Sequence, residues 1–195
     1  MSEFPRRLVV IALQAECAGV FEAAGVPVLY CGVGKVNAAI ALTRELARYA
    51  QQDQPMPLVL NFGSAGSRRH VTGTLVACNE FVQRDMDVSA LGFALGVTPF
   101  DEAPPILSFE PLFKHLPPAV CGSGDSFATA GTDMDCAVVD MEAYALAKAC
   151  WSAKAQFACA KFVTDGADHA AADDWQRNVH RAADEFLGLY LSLGR

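Results

Sequence analysis

The chain has no Cys-x-x-Cys pair, no His-Glu-x-x-His, no Gly-x-Ser-x-Gly and no apolar run near the ~20 residues that cross a bilayer. Each absence removes a class of function. The cysteines at 17, 31, 78, 121, 136, 150 and 159 are odd in number and scattered, which fits reduced thiols in the cytoplasm rather than a disulfide frame. None of them sits in a recognisable electropositive turn, so they read as small buried hydrophobes rather than nucleophiles. Histidines 70, 115, 169 and 180 lack the spacing of a metal site, and neither a metal nor another cofactor is expected. A net charge of −7 without a basic stripe argues against a nucleic-acid polymer as partner. Arg6-Arg7 before Leu8–Leu13 superficially resembles a signal peptide. The apolar stretch is short, Gln14 and Glu16 interrupt it and no small-residue cleavage site follows, so a first buried strand and no membrane insertion are expected.

What is present suits a large buried core: 195 residues, 52% of them hydrophobic, fit one compact domain over 1–195. Short apolar runs alternate with helical patterns, giving an α/β class. Strands are expected over Leu8–Leu13, Val28–Tyr30, Leu58–Phe62, Leu75–Val82, Ala137–Asp140 and Gln156–Val163, most of them buried on both faces. Helices are expected over Val36–Tyr49, Met141–Ala153 and Asp173–Leu193. In the last, Trp175, Val179, Ala182, Phe186 and Tyr190 recur at helical spacing. Gln51–Pro57 and the proline-rich Thr98–Pro118 read as loops.

Gly32-Val33-Gly34-Lys35 invites a nucleotide-loop reading and fails it. Leu29 and Val36 stand where a Walker loop needs Gly and Ser or Thr, and Asn37 replaces the third glycine of the dinucleotide fingerprint. A tight strand-to-helix turn remains, whose amides either approach an anion or water or merely let the chain reverse. Asn61-Phe62-Gly63-Ser64-Ala65-Gly66 ends a buried strand in small residues, leaving room for a ligand at the carboxyl end of the sheet. Asp140 and Glu142 bracket Met141 where a strand gives way to a helix. A carboxylate there either complements the helix terminus or accepts both hydroxyls of a ribose. Asp165 leaves an apolar strand, where burial would raise its pKa and keep a proton for general acid catalysis; a loop or capping role is the plainer alternative.

Taken in order, these segments resemble the nucleoside phosphorylase superfamily, and within it methylthioadenosine/S-adenosylhomocysteine nucleosidases. Ala12-Leu13-Gln14-Ala15-Glu16, Gly32–Ala39, Asn61–Gly66, Asp85-Met86-Asp87-Val88, Ser123–Phe127, Val139–Ala143 and Val163-Thr164-Asp165 carry the resemblance nearly end to end. It implies a three-layer αβα sandwich with a mixed central sheet. It also implies that Asp165 protonates N7 of a purine, as an aspartate there does in adenine-type members, and that Glu16 orients the attacking water with Ser64 nearby. Glu142 and the Met141 backbone would bind the ribose hydroxyls. Phe127 would stack on the base and the Ala128 backbone would read its edge. The partner would be a small-molecule purine nucleoside.

Three departures stand out. Gln14-Ala15-Glu16 replaces a run of acids, Asp140 stands where the family carries Glu, and the chain is short between Phe109 and Val120. Trp175 is either a wall of the 5′-substituent pocket or a core tryptophan. A phosphorylase needs positioned cations to neutralise phosphate, and Lys35, Arg68, Arg69 and Arg84 fall outside the places the resemblance gives that clamp. Hydrolysis of adenine nucleosides is therefore the expected activity, with phosphorolysis or a non-catalytic nucleoside-binding protein as alternatives. A homodimer is expected, with Thr98–Pro118 supplying the contact.

Overall fold

In Arg7–Ile11 (β1), Val10 points into one hydrophobic cluster and Val9 and Ile11 into another, so the first strand is covered on both faces. The computed structural model describes residues 6–129 and 134–194. Its remaining strands are β2 Val28–Tyr30, β3 Leu58–Gly66, β4 Leu75–Gln83, β5 Ile106–Ser108, β6 Pro118–Ser123, β7 Val138–Asp140 and β8 Gln156–Asp165. The helices are α1 Val20–Ala23, α2 Lys35–Gln51, α3 Ala143–Ala153, α4 Ala171–Asn178 and α5 Ala183–Ser192.

The two clusters are the two interlayer cores. On one face Ala38, Leu42 and Leu46, one turn apart on α2, join Leu146 and Cys150 of α3 over Val10, Val59 and Phe157. On the other, Phe21 of α1 and Phe186 of α5 stack on Phe62, with ring centroids 5.8 and 5.3 Å away. Burying each such ring contributes about 1.5–3 kcal/mol. This is the three-layer αβα arrangement with a mixed sheet.

The strands run β2-β1-β3-β7-β6-β4-β5, and β8 pairs with both β3 and β4. The path β3-β8-β4-β6-β7 therefore returns to β3, closing through a single pair, Gly66 with Val139. Parallel β3/β8 pairing continues to Gly66 and Asp165 past a register shift at Ala65. Both strands thus extend beyond their expected ends at Phe62 and Val163.

Two further differences from the sequence expectations have local causes. The region read as loop contains β5, and β6 begins at Pro118, where an edge of the ladder needs no N–H. Gly122 is needed inside β6, because a Cβ there would lie 2.7 Å from Cys136 Sγ. The expected single helix over Asp173–Leu193 is broken at 179–182. The Asn178 amide donates to the Thr164 carbonyl at 2.9 Å, tying the end of α4 to the end of β8, and α5 departs to pack Phe186 on Phe62. All seven cysteines are free and buried. Among the described residues no helix is long and apolar enough to cross a membrane.

Candidate active site

The ends of β1, β3, β7 and β8 deliver polar groups to one cavity of about 330 Å³. Glu16, Ser64, Phe127, Ala128, Met141, Glu142, Asp165 and Trp175, the residues singled out from sequence, all line it.

Glu16 closes a 3-10 turn immediately after β1 and is buried. Its Oε1 accepts the Ser64 amide and the Ser64 hydroxyl, each at 2.7 Å, and its Oε2 accepts the Leu13 amide at 3.1 Å. The Trp175 indole N–H donates to Ser64 Oγ at 3.0 Å. Trp175 is thus a wall of the cavity that bonds to the residue holding Glu16. The carboxylate is fixed in one orientation, as an oriented base requires.

Asp165 ends β8 and is buried. Burial is the largest influence on its carboxyl and pushes its pKa above the ordinary value; nearby Asp174 and Asp168 act in the same direction. The Ala167 amide at 2.9 Å and the Thr164 hydroxyl at 2.8 Å pull against this. Gly66 makes the fit possible: a Cβ there would lie 2.6 Å from Asp165 Oδ1.

Asp140 and Glu142, of which the family resemblance gives only Glu142 to the ribose, part company in the structure. Asp140 is committed to the protein. It accepts the Ser123 hydroxyl at 2.5 Å and the Ala143 amide at 2.9 Å, and it pairs with the Lys161 ammonium at 2.8 Å. Burial works to raise its carboxyl, but Lys161 and these donors outweigh burial and leave it below the usual carboxylate range. Among the described residues the Glu142 carboxyl accepts only the Gly34 amide, at 2.8 Å through Oε1. Burial first, and the negative charge of Asp140 second, push it to about 7. The Gly32–Lys35 turn thus approaches two carboxylates, Glu142 through the Gly34 amide and Asp125 through the Lys35 amide.

Sequence reasoning missed Lys161 and weighed Arg84 only as a phosphate-clamp cation. Lys161 is a fully buried lysine in an apolar strand, and that incongruity was the available signal. Its ammonium and Glu16 Oε1 both crowd Gly63, where a Cβ would lie 3.2 and 3.1 Å from them. Arg84 lines the cavity at the Ser126–Ala128 wall. Its guanidinium donates to the Ser126 carbonyl, to Ser126 Oγ at 3.3 Å and to the Gly124 carbonyl at 3.4 Å. The other cations weighed from sequence are engaged elsewhere: Lys35 on Asp85, Arg69 on Asp135 and Arg68 on the Ala167 carbonyl.

Two carboxyl groups of opposite character in a cleft of mostly apolar walls, carried by a mixed αβα sheet, define a protein of the nucleoside phosphorylase-like fold. Solved structures agree. Helicobacter pylori 5′-methylthioadenosine/S-adenosylhomocysteine nucleosidase with butyl-thio-DADMe-Immucillin-A superposes with a TM-score of 0.83 at 20% identity, covering 98% of both chains. Native H. pylori futalosine hydrolase gives 0.81 at 20% identity, over 98% of this chain and 99% of that one. No family model matches the chain. In sequence it is 30% identical over 188 residues to the 5′-methylthioadenosine/S-adenosylhomocysteine nucleosidase of Anoxybacillus flavithermus, covering 85% of this chain and 78% of that protein. The Haemophilus influenzae enzyme of the same name is 29% identical over 189 residues, 86% of this chain and 80% of its own. The chain belongs to the 5′-methylthioadenosine/S-adenosylhomocysteine nucleosidase family.

Proposed function

We propose that this protein hydrolyses the N-glycosidic bond of adenine nucleosides such as 5′-methylthioadenosine or S-adenosylhomocysteine, releasing adenine and the thioribose. The observation that carries this reading is the pairing, across one cavity, of a carboxylate locked by three hydrogen bonds with a carboxyl whose pKa is raised by burial. Asp165 gives its proton to N7, so the base leaves neutral while positive charge develops on the ribose. Glu16, held by Ser64, orients the water that attacks the anomeric carbon and takes its proton. Glu142, with one oxygen not engaged by Gly34, and the Met141 backbone bind the ribose hydroxyls. Phe127 stacks on the base, the Ala128 backbone reads its edge and Trp175 borders the 5′-substituent.

Phosphorolysis finds little support in the cavity wall. Among the described residues Arg84 is its one cationic member, and the terminal nitrogens of its guanidinium bond to Ser126 and Gly124. We place the protein in the cytoplasm as a homodimer, with exposed apolar residues of α2 and the 88–112 region supplying the contact.

Product analysis tests the activity. Purified protein with methylthioadenosine, S-adenosylhomocysteine or adenosine should form adenine and free sugar without phosphate, and inosine, whose base would leave as hypoxanthine, tests the preference for adenine. A strict phosphate requirement with a sugar 1-phosphate product would make it a phosphorylase. Asp165→Asn should abolish turnover while retaining ligand binding; unchanged activity would remove Asp165 from the acid role.

A further inference from the structure

Arg84 and Asp85 are adjacent in sequence yet grip the same loop by different atoms. The Arg84 amide donates to the Ser123 carbonyl at 2.9 Å, and its guanidinium takes the carbonyls of Gly124 and Ser126 together with the Ser126 hydroxyl. Gly124 lets the guanidinium lie against the backbone, since a Cβ there would be 2.9 Å from Arg84 Cζ. Asp85 accepts the Asp125 amide through Oδ2 at 2.8 Å and the Lys35 ammonium through Oδ1 at 2.5 Å. Asp125 in turn accepts the Lys35 amide at 2.7 Å. The Gly124 amide donates to the Asp140 carbonyl at 3.1 Å. Residues 123–126 are thus bonded one after another to the dipeptide, to the start of α2 and to the end of β7, and among the described residues these bonds stop just before Phe127 and Ala128.

We propose that Arg84 and Asp85, anchored by Lys35, are positioning residues that hold Gly124–Ser126 as a rigid stem. The stem presents Phe127 and the Ala128 backbone to the base. This rests on the proposed assignment of those two residues to base recognition. An irregular loop of this kind loses backbone freedom when it binds, and a stem ordered in advance removes most of that cost from ligand binding. Neither residue acts on the bond that breaks, so the clamp belongs to affinity for the base rather than to the chemical step. The turn carrying Lys35 also carries the Gly34 amide that holds Glu142, so one network sets the spacing between the base wall and the sugar-binding carboxylate.

The test compares wild type with Arg84→Met, Arg84→Lys and Asp85→Ala by three readouts. Amide hydrogen exchange across 124–128 should accelerate by about tenfold or more in Arg84→Met and Asp85→Ala, while β8 keeps its protection. Adenine alone, titrated calorimetrically, should bind about tenfold more weakly, and KM for methylthioadenosine should rise by a similar factor with kcat within about threefold. Arg84→Lys retains a cationic donor and should recover part of the loss. Unchanged exchange in the loop, or a fall in kcat with KM and adenine affinity unaltered, would overturn the proposal. If Arg84→Met does not fold, Asp85→Ala decides between these outcomes, because its side chain is partly exposed. A wild type that cleaves no nucleoside would defeat the proposed function, while loop exchange and adenine binding would still judge the clamp.

Discussion

The Lys161 ammonium lies 2.8 Å from the Asp140 carboxylate, with 2% and 1% of the two side chains exposed. Removing one member of such a pair strands a charge in a dry site, whereas removing both can be nearly neutral. Lys161→Met should therefore destabilise the fold by about 3–5 kcal/mol, and Asp140→Asn in the same chain should restore much of that loss, as read by urea denaturation. Because the Asp140 pKa is depressed in the folded state, its contribution is present above the ordinary carboxylate value and fades as the pH falls through about 4 and below. Wild type should lose stability over that acid range and Lys161→Met should lose less. Equal acid sensitivity would contradict the pairing.

A methyl group at Gly66 would meet Asp165 Oδ1 at 2.6 Å and Ala167 Cβ at 3.1 Å. Gly66→Ala should push the carboxyl out of line with N7 and lower kcat by about a hundredfold or more. Circular dichroism should show the fold retained. Wild-type kcat in a folded Gly66→Ala protein would show that the position of Asp165 is not critical.

Glu142 sits near pH 7 because it is buried beside Asp140. The proposed role of accepting ribose hydroxyls requires its ionised form, so kcat/KM should fall as the pH drops through about 7, and Glu142→Gln should lose that acid limb together with affinity. Stability runs the other way. A carboxyl with a raised folded pKa favours folding while protonated, and that advantage is lost between about 4.5 and about 7. Glu142→Gln keeps an acceptor for Gly34 and should gain up to about 3 kcal/mol over wild type at pH 8, with little difference at pH 4. A less stable variant at pH 8 would refute the electrostatic account.

Val36 and Ile40 follow one another by one turn on α2 and are 66% and 53% exposed, while Phe100 is 97% exposed. These exposed apolar residues would supply the contact of the proposed homodimer. Sedimentation velocity should find a dimer at micromolar concentration, and Ile40→Glu should shift it to monomer. A monomer at every concentration would remove the homodimer.

Much of this was legible in the sequence because the site residues close apolar strands, where small residues and carboxylates stand out. Glu16, Ser64, Glu142 and Asp165 each follow such a run, and the sheet brings the runs together. The commitment of Asp140 to the protein was not legible, because it depends on Lys161, a residue of another strand. Arg84 was weighed only as a cation outside the place the resemblance gives a phosphate clamp, since its hold on Gly124 and Ser126 is made across 40 and 42 residues of chain. Strand β6 escaped because proline and glycine, ordinarily strand breakers, are both tolerated there by their neighbours. The break between α4 and α5 has no sequence mark at all; it follows from the tie between Asn178 and Thr164.

The strand circuit closes late in synthesis. Its β3 partner is β8, about a hundred residues downstream, and Trp175 reaches Ser64 across 111 residues. Non-local pairings of this kind are costly to form before their contacts reward them, which slows folding. A nascent chain that has displayed Glu16, Ser64 and Glu142 outside the ribosome still lacks Asp165, the proposed acid, and the Trp175 wall. The cavity, and any ligand it would stabilise, can exist only once β8 and α4 have emerged, so the protein cannot be rescued by its ligand before then and must reach that point by packing alone.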